Sequence, residues 1–298
     1  MKYRKIPKTG IQISEIGFGC MSLDLSKSDN EALLREAVDL GVNYFDTADL
    51  YDKGANETLV GRALKPVRKD VIIATKVGNE WLADGSGWQW NPRKDYIINA
   101  VDKSLQRLQT DFIDLYQLHG GTIEDQRDEI IEAFELLQKS GKIRSYGISS
   151  IRPNVIKSFA NESEIVSDML QYNLLDRRPE EEILDFLQSQ NVGIMVRGVL
   201  AKGLLAGKPA TDYMDRDQSQ VQAVQESLQD LTSADRSTGQ VAIRYVLGHP
   251  AVTSAVIGIR TTKQLQEAVE AGNLDELSTQ ELQTLRGKLA PNRYTQHL

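Results

Sequence analysis

Two hydrophobic patterns alternate along this chain. Short apolar, β-branched or aromatic runs read as buried strands, and longer stretches with apolar positions three and four apart read as helices packed by one face. The strand-like runs are Ile16–Cys20, Asn43–Asp46, Val71–Lys76, Phe112–Leu118, Ile143–Ser149, Met169–Gln171, Ile194–Arg197 and Thr253–Ile257. Between the first four, the helical patterns are Leu33, Ala37 and Leu40, then Asn56–Leu64, then Ile97, Val101, Ser104, Leu105 and Leu108. Ser28-Asp29-Asn30 supplies the cap of the first, Gly41 stops it, and Pro66 stops the second. Further on, Ile130, Phe134 and Leu137 run to Gly141, Pro153 starts a helix, and Ile183, Leu184 and Leu187 mark another. Gln240–Gly248 is the seventh helix, and Leu265 and Val269 face inward on the eighth, capped by Thr261 or Thr262.

Strand and helix alternating through short turns imply parallel βαβ units, and eight such units make a (β/α)8 TIM barrel. Three segments fall outside the repeat. Tyr3–Ile6 and Ile11–Ile13 form a predicted hairpin around Lys8-Thr9-Gly10, placed to plug the amino-terminal end of the barrel. A polar insertion from Pro209 to about Ser237 carries one helical stripe of Val221, Val224, Leu228 and Leu231, and a last helix spans Ser278 to Leu289. Val77–Pro92 reads as a long loop that holds Trp81, Trp88 and Trp90, all the tryptophans of the chain. Long loops are often functional, and aromatics there suit an apolar substrate pocket or simply pin the loop. No domain boundary appears, so residues 1–298 are expected to form a single barrel domain.

Three of the strands end in an ionisable side chain: Asp46, Lys76 and His119, with Tyr51 in the loop after Asp46. Any one of these reads as a structural ion pair or a satisfied core histidine. Together they point to a site, because the carboxyl ends of parallel barrel strands share the face where active sites sit. A lysine beside a carboxylate keeps its charge, and that cation is expected to lower the pKa of a nearby phenol, ordinarily about 10. Such a tyrosine gives a proton to a developing alkoxide while a histidine holds the carbonyl oxygen. This set fits carbonyl reduction with a hydride from a cofactor. Phosphates of that cofactor belong at the loops after the last two strands. Gly198, Gly203 and Gly207 with Lys202 fit a backbone cradle, and Gly258-Ile259-Arg260-Thr261-Thr262 opens a helix whose N-terminus favours a phosphate.

Composition narrows the classes further. The net charge of −7 and the lack of a basic stripe argue against a nucleic-acid partner. A single cysteine, Cys20, precludes an intrachain disulfide and suits a reducing compartment, so a cytoplasmic location is expected. No run has the length of a membrane span, and no apolar segment follows Lys2, Arg4 and Lys5 as in a secretory signal. Three histidines and one cysteine make a His-rich hydrolytic metal site a poor reading.

Several motifs together resemble the aldo-keto reductase family, most of all its bacterial members related to potassium-channel β-subunits. They are Gly19-Cys20-Met21, Asn43 to Tyr51 with Gly54 and Glu57, Ala74-Thr75-Lys76, Ser104-Leu105 with Leu108, and Asp111 to His119. Gly141 to Arg144, Gly147 to Ser149, Gln171-Tyr172-Asn173 and Ile257 to Arg260 with Gln264 and Glu267 complete the set. The resemblance implies NADP(H) as cofactor, a small carbonyl substrate, and Tyr51 as proton donor tuned by Lys76 and Asp46, with His119 orienting. It implies cofactor contacts from Gly19, Cys20, Met21, Asp46 and Ser150, from Ser149 and Gln171 at the nicotinamide, and from Arg197 through Gly198, Val199, Leu200, Lys202 and Gly203. Arg260 matches a contact to the 2′-phosphate, alongside Gly258 and Thr262, with Gln264 and Glu267 near the adenine. Ser150, Arg197 and Ala268 depart from the family pattern of asparagine, an aromatic ring and asparagine, respectively. A planar guanidinium at Arg197 can stack in place of the ring. The competing reading is a regulatory subunit that keeps the cofactor site as a redox sensor. Consumption of NADPH with small aldehydes separates the two. A monomer or weak homo-oligomer is expected.

Overall fold

The structure, a computed structural model, describes residues 1–298. Eight parallel strands close into a barrel: β3 (Ile16–Gly19), β4 (Tyr44–Asp46), β5 (Ile72–Val77), β8 (Ile113–Leu118), β9 (Ile143–Ile148), β10 (Ser167–Gln171), β11 (Gly193–Arg197) and β12 (Val252–Gly258). Around it run α1 (Asn30–Asp39), α2 (Ala55–Leu64), α3 (Lys94–Leu108), α4 (Arg127–Lys139), α5 (Pro153–Glu162), α6 (Ile183–Ser189), α8 (Thr238–Leu247) and α9 (Thr262–Asn273). The strands are buried along almost their whole length, as strands covered on both faces must be. No helix is long and apolar enough to cross a membrane.

The predicted amino-terminal hairpin is present as β1 (Tyr3–Lys5) and β2 (Gln12–Ser14). Ile6 and Ile13, both fully buried, pack with Tyr44, Ala74, Leu115 and Met195 of the barrel interior, so the hairpin stoppers the barrel's lower end. Glu15 fixes it there: its carboxylate meets Arg4 at 2.7 Å and the buried Arg244 of α8 at 3.1 Å. The insertion contributes α7 (Gln218–Gln229), begun by a capping box between Asp217 and Gln220, and the chain closes with α10 (Thr279–Gly287), capped likewise by Ser278 and Glu281.

Three expectations are corrected. Val77–Pro92 is not an open loop: β6 (Asn79–Trp81) and β7 (Trp88–Trp90) pair antiparallel with Trp81 opposite Trp88. Strands this short, with Glu80 and Gln89 at their centres, carry too few alternations to register as strands. Leu40 does not face the core. Helix α1 ends at Asp39, and Leu40 caps it with 37% of its surface exposed. Ser28-Asp29-Asn30 supplies no side-chain cap; the Asn30 amide instead donates to the carbonyls of Asp24 and Lys27, holding the turn before α1.

Candidate active site

The short strand β4 carries Asp46 at its carboxyl end, and β5 places Lys76 beside it through parallel pairing of Asp46 with Ala74. Lys76 Nζ donates to Asp46 Oδ1 at 2.6 Å and to the Thr47 carbonyl at 2.7 Å, with both charged side chains almost wholly buried. The same ammonium stands 5.2 Å from the centre of the Tyr51 ring. Burial alone would lower the Lys76 pKa, but Asp46 and the Tyr51 hydroxyl outweigh it, and the net shift is upward; Lys76 is a permanent cation. The Tyr51 phenol behaves differently from the sequence expectation. Burial raises its pKa by more than Lys76 lowers it, so the net direction is up. The cation limits the rise rather than reversing it.

His119 follows β8 and is fixed by its backbone N–H, which donates to the Val77 carbonyl at 2.7 Å. Its ring meets that of Tyr51 edge-on, with 5.8 Å between centroids and 83° between planes. Burial, with Lys76 and Arg197 adding like charge, pushes its pKa from 6.5 down to about 3. The imidazole is therefore neutral at any physiological pH. Its Nδ1 is buried and has no partner within the protein. The four side chains converge on the carboxyl-terminal face, where Tyr51, Lys76 and His119 line a cavity of about 620 Å³ shared with Met21, Leu50, Trp88, Trp90, Ser149, Ile151, Arg152 and Arg197.

The turn after Tyr51 is held in an uncommon conformation. Asp52 (φ 49°), Lys53 (φ 55°) and Gly54 (φ 87°) are all left-handed. Each non-glycine residue there costs roughly 1 kcal/mol or more. The tryptophan hairpin offsets it. The Trp81 indole donates to the Leu50 carbonyl at 3.2 Å, and Lys53 Nζ lies 5.1 Å from the Trp81 ring centre and donates to the Gly85 carbonyl at 3.1 Å. On the other side, the Trp90 indole donates to Asp125 at 3.0 Å, and its ring fills space beside Gly78 and Gly120 where a Cβ would stand 2.7 and 3.4 Å away. The tryptophans thus both wall the cavity and pin the loops that carry Tyr51 and follow His119.

The residues expected at a cofactor are spread along the β9–β12 ends and the β3 end. Cys20 is fully buried with its thiol toward the Phe18 carbonyl, while Met21 is 66% exposed at the cavity. Gly19 approaches β12 so closely that a Cβ would stand 3.2 Å from the Ile257 carbonyl. Ser149 donates to the Met169 carbonyl at 3.3 Å, and the Ser150 N–H donates to the buried Asp168 at 3.1 Å. Gln171 does not line the cavity that holds Tyr51. Its amide is engaged by Asp176 at 2.8 Å, and its Oε1 accepts from Arg197 at 3.0 Å. Met169, two residues earlier on the same strand face, does line it, and nothing in the sequence singled it out.

After β11, Gly198 (φ 70°), Ala201 (φ 46°), Lys202 (φ 59°), Gly203 (φ 96°) and Gly207 (φ 91°) curl into a left-handed turn, with Val199 buried beneath and Leu200 half-buried. Gly203 is favoured by its φ, and the Lys208 side chain packs over it with Nζ donating to the Lys202 carbonyl. After β12, Gly258 packs on Ser22, where a Cβ would meet Oγ at 3.1 Å. Arg260 donates through Nε to the Ser22 carbonyl at 3.0 Å, which aims its fork and leaves both terminal nitrogens without a protein partner. Thr261 is the cap of α9, accepting from the Gln264 N–H, while Thr262 donates to Glu36 at 2.9 Å. Gln264 accepts from the Arg260 N–H, and Glu267 accepts from Ser237 at 2.5 Å, tying α9 to the start of α8. A left-handed cradle and a helix start with an unengaged guanidinium, one strand apart, fit the phosphate groups of a dinucleotide.

A closed parallel barrel with these four side chains at its carboxyl-terminal face is the architecture of an oxidoreductase class. The chain belongs to the Aldo/keto reductase family, whose profile matches residues 15–290. It is 47% identical to the uncharacterized oxidoreductase YqkF of Bacillus subtilis (strain 168), over 100% of this chain and 99% of that one. Among solved structures it matches the holo form of aldo-keto reductase AKR11C1 from Bacillus halodurans with a TM-score of 0.95 at 45% identity, covering 100% and 99% of the two chains. The apo form of that protein matches with a TM-score of 0.86 at 42% identity over the same shares.

The His119 shift has a consequence for stability. As pH falls from 6.5 toward 3, the unfolded chain takes up a proton at this histidine and the folded chain does not. Its contribution is therefore complete above pH 6.5 and is lost as pH falls, at up to ~1.4 kcal/mol per pH unit. The fall in urea midpoint between neutral and mildly acid buffer should be smaller in His119→Asn than in the parent protein. An equal fall in both contradicts the assignment.

Proposed function

We propose that this protein is an NADPH-dependent reductase of aldehydes or ketones, with Tyr51 as the proton donor. The observation that carries the proposal is the grouping at one cavity of a phenol, a buried cation 5.2 Å from its ring, and a neutral imidazole edge-on to it. The arrangement suits a carbonyl oxygen held between Tyr51 and His119. His119, being neutral, is suited to donate a hydrogen bond that orients the oxygen. Tyr51 then gives its proton as negative charge develops there, and the Lys76 cation stabilises the phenolate left behind. Asp46 keeps Lys76 charged and aimed. A nicotinamide dinucleotide supplies the hydride when bound. Ser149, Arg197 and the turn from Gly198 to Gly203 would hold its nicotinamide end and phosphates, and Arg260 its 2′-phosphate.

Tyr51→Phe should reduce the rate with a small aldehyde by about 10²- to 10⁴-fold while NADPH binding holds. Near-normal turnover in this variant removes Tyr51 from the role. Arg260→Ala should weaken NADPH binding by roughly one to two powers of ten, since a charge-assisted hydrogen bond contributes about 1.5–3 kcal/mol, and should leave NADH binding almost unchanged. Dissociation constants of both cofactors read this directly. Equal weakening of the two assigns Arg260 to loop support instead.

A further inference from the structure

The cavity above Tyr51 has an unusual charge balance for a chain of net charge −7: no aspartate or glutamate lines it, while two arginines do. Arg197 donates to Gln171 and is assigned above to the nicotinamide end of the cofactor. Arg152 has no such assignment. It precedes Pro153 at the start of α5, and its only side-chain hydrogen bond runs from Nη1 to the Gly121 carbonyl, two residues beyond His119. Its Nε and Nη2 have no partner in the protein and it belongs to no ion pair. Its backbone is also held, because its N–H donates to Ser150 Oγ at 3.2 Å and the Ser150 N–H in turn donates to the buried Asp168. The carbonyl it grips belongs to a left-handed glycine pair, Gly120 (φ 136°) and Gly121 (φ 126°). A half-buried arginine thus lines the same cavity as His119, with Nε and Nη2 free of protein partners.

We propose that Arg152 anchors an anionic group, a carboxylate or a phosphate monoester, carried by the carbonyl substrate. The proposal rests on the reductase reading and specifies its substrate. A planar fork with a free edge binds either oxyanion through charge-assisted hydrogen bonds, and no carboxylate lines the cavity to compete for it. Arg152, Tyr51 and His119 line one cavity, so the anion and the carbonyl belong on a single small molecule.

Paired substrates test this. Succinic semialdehyde is compared with butanal, and glyceraldehyde 3-phosphate with glyceraldehyde, in the parent protein, Arg152→Met and Arg152→Lys. One charged member should exceed its neutral partner in kcat/KM by about tenfold or more at low salt, and the preference should shrink as salt screens it. Which pair shows it decides between carboxylate and phosphate. In Arg152→Met the preference should fall by about 10- to 100-fold. Arg152→Lys should keep part of it, as a point charge without the fork does. Absence of any preference, or its survival in Arg152→Met, overturns the proposal. Binding of the unreactive anions succinate and glycerol 3-phosphate, measured by calorimetry on the cofactor-loaded protein, reads the same anchor without turnover. If no aldehyde reacts yet one anion binds and is lost in Arg152→Met, the reductase reading fails and the anchor stands; binding of neither, or binding untouched by the substitution, removes the anchor.

Discussion

The ion pair between Lys76 and Asp46, 2.6 Å long and closed off from water, is the constraint around which the site is built. Each partner alone would be untenable at the end of a buried strand. Removing one from such a pair costs roughly 3–5 kcal/mol, because the other charge is left unpaired. The pair needs two adjacent parallel strands in fixed register, which the closed barrel supplies through β4 and β5. Its product is a cation under the Tyr51 phenol that limits how far burial weakens that phenol as an acid. Lys76 and Arg197 also add to the field that keeps His119 neutral, so one charge arrangement acts on both the Tyr51 phenol and the His119 imidazole.

A site of this kind stores cost that other elements offset. The left-handed turn of Asp52, Lys53 and Gly54 presents Tyr51, and the tryptophan hairpin holds that turn through Leu50 and Gly85. Beneath the barrel the amino-terminal hairpin stoppers the interior with Ile6 and Ile13, which lets the upper end remain open. The lower end of the barrel thus serves stability and the upper end chemistry, the division expected of this architecture.

Much of this was legible in the residues. The eight buried runs and the amphipathic stretches between them led to the barrel, since each pattern has only one way to bury its face. Asp46, Lys76 and His119 were visible as ionisable groups at strand ends. The tryptophan hairpin was not legible, because Asn79–Trp81 and Trp88–Trp90 are too short for alternation to register. Nor was the direction of the Tyr51 shift, which depends on the degree of burial rather than on which charge is near. Met169 and Gln171 share a strand face, and only the assembled barrel separates the one that lines the cavity from the one engaged by Asp176 and Arg197. Arg152 reads as an ordinary surface arginine until the cavity is seen to lack any carboxylate.

The central claim is that Lys76 acts through the Tyr51 phenol. Groups that work as a unit lose their separate effects when one is already absent. The direct measurement is a double-variant cycle on the single-turnover rate of aldehyde reduction, using Lys76→Met, Tyr51→Phe and the two combined. Each single variant should be strongly impaired, and Lys76→Met should cost little more once Tyr51 is phenylalanine. Losses that multiply in full would contradict the account, and Lys76 would then act on the reaction by some route other than the phenol.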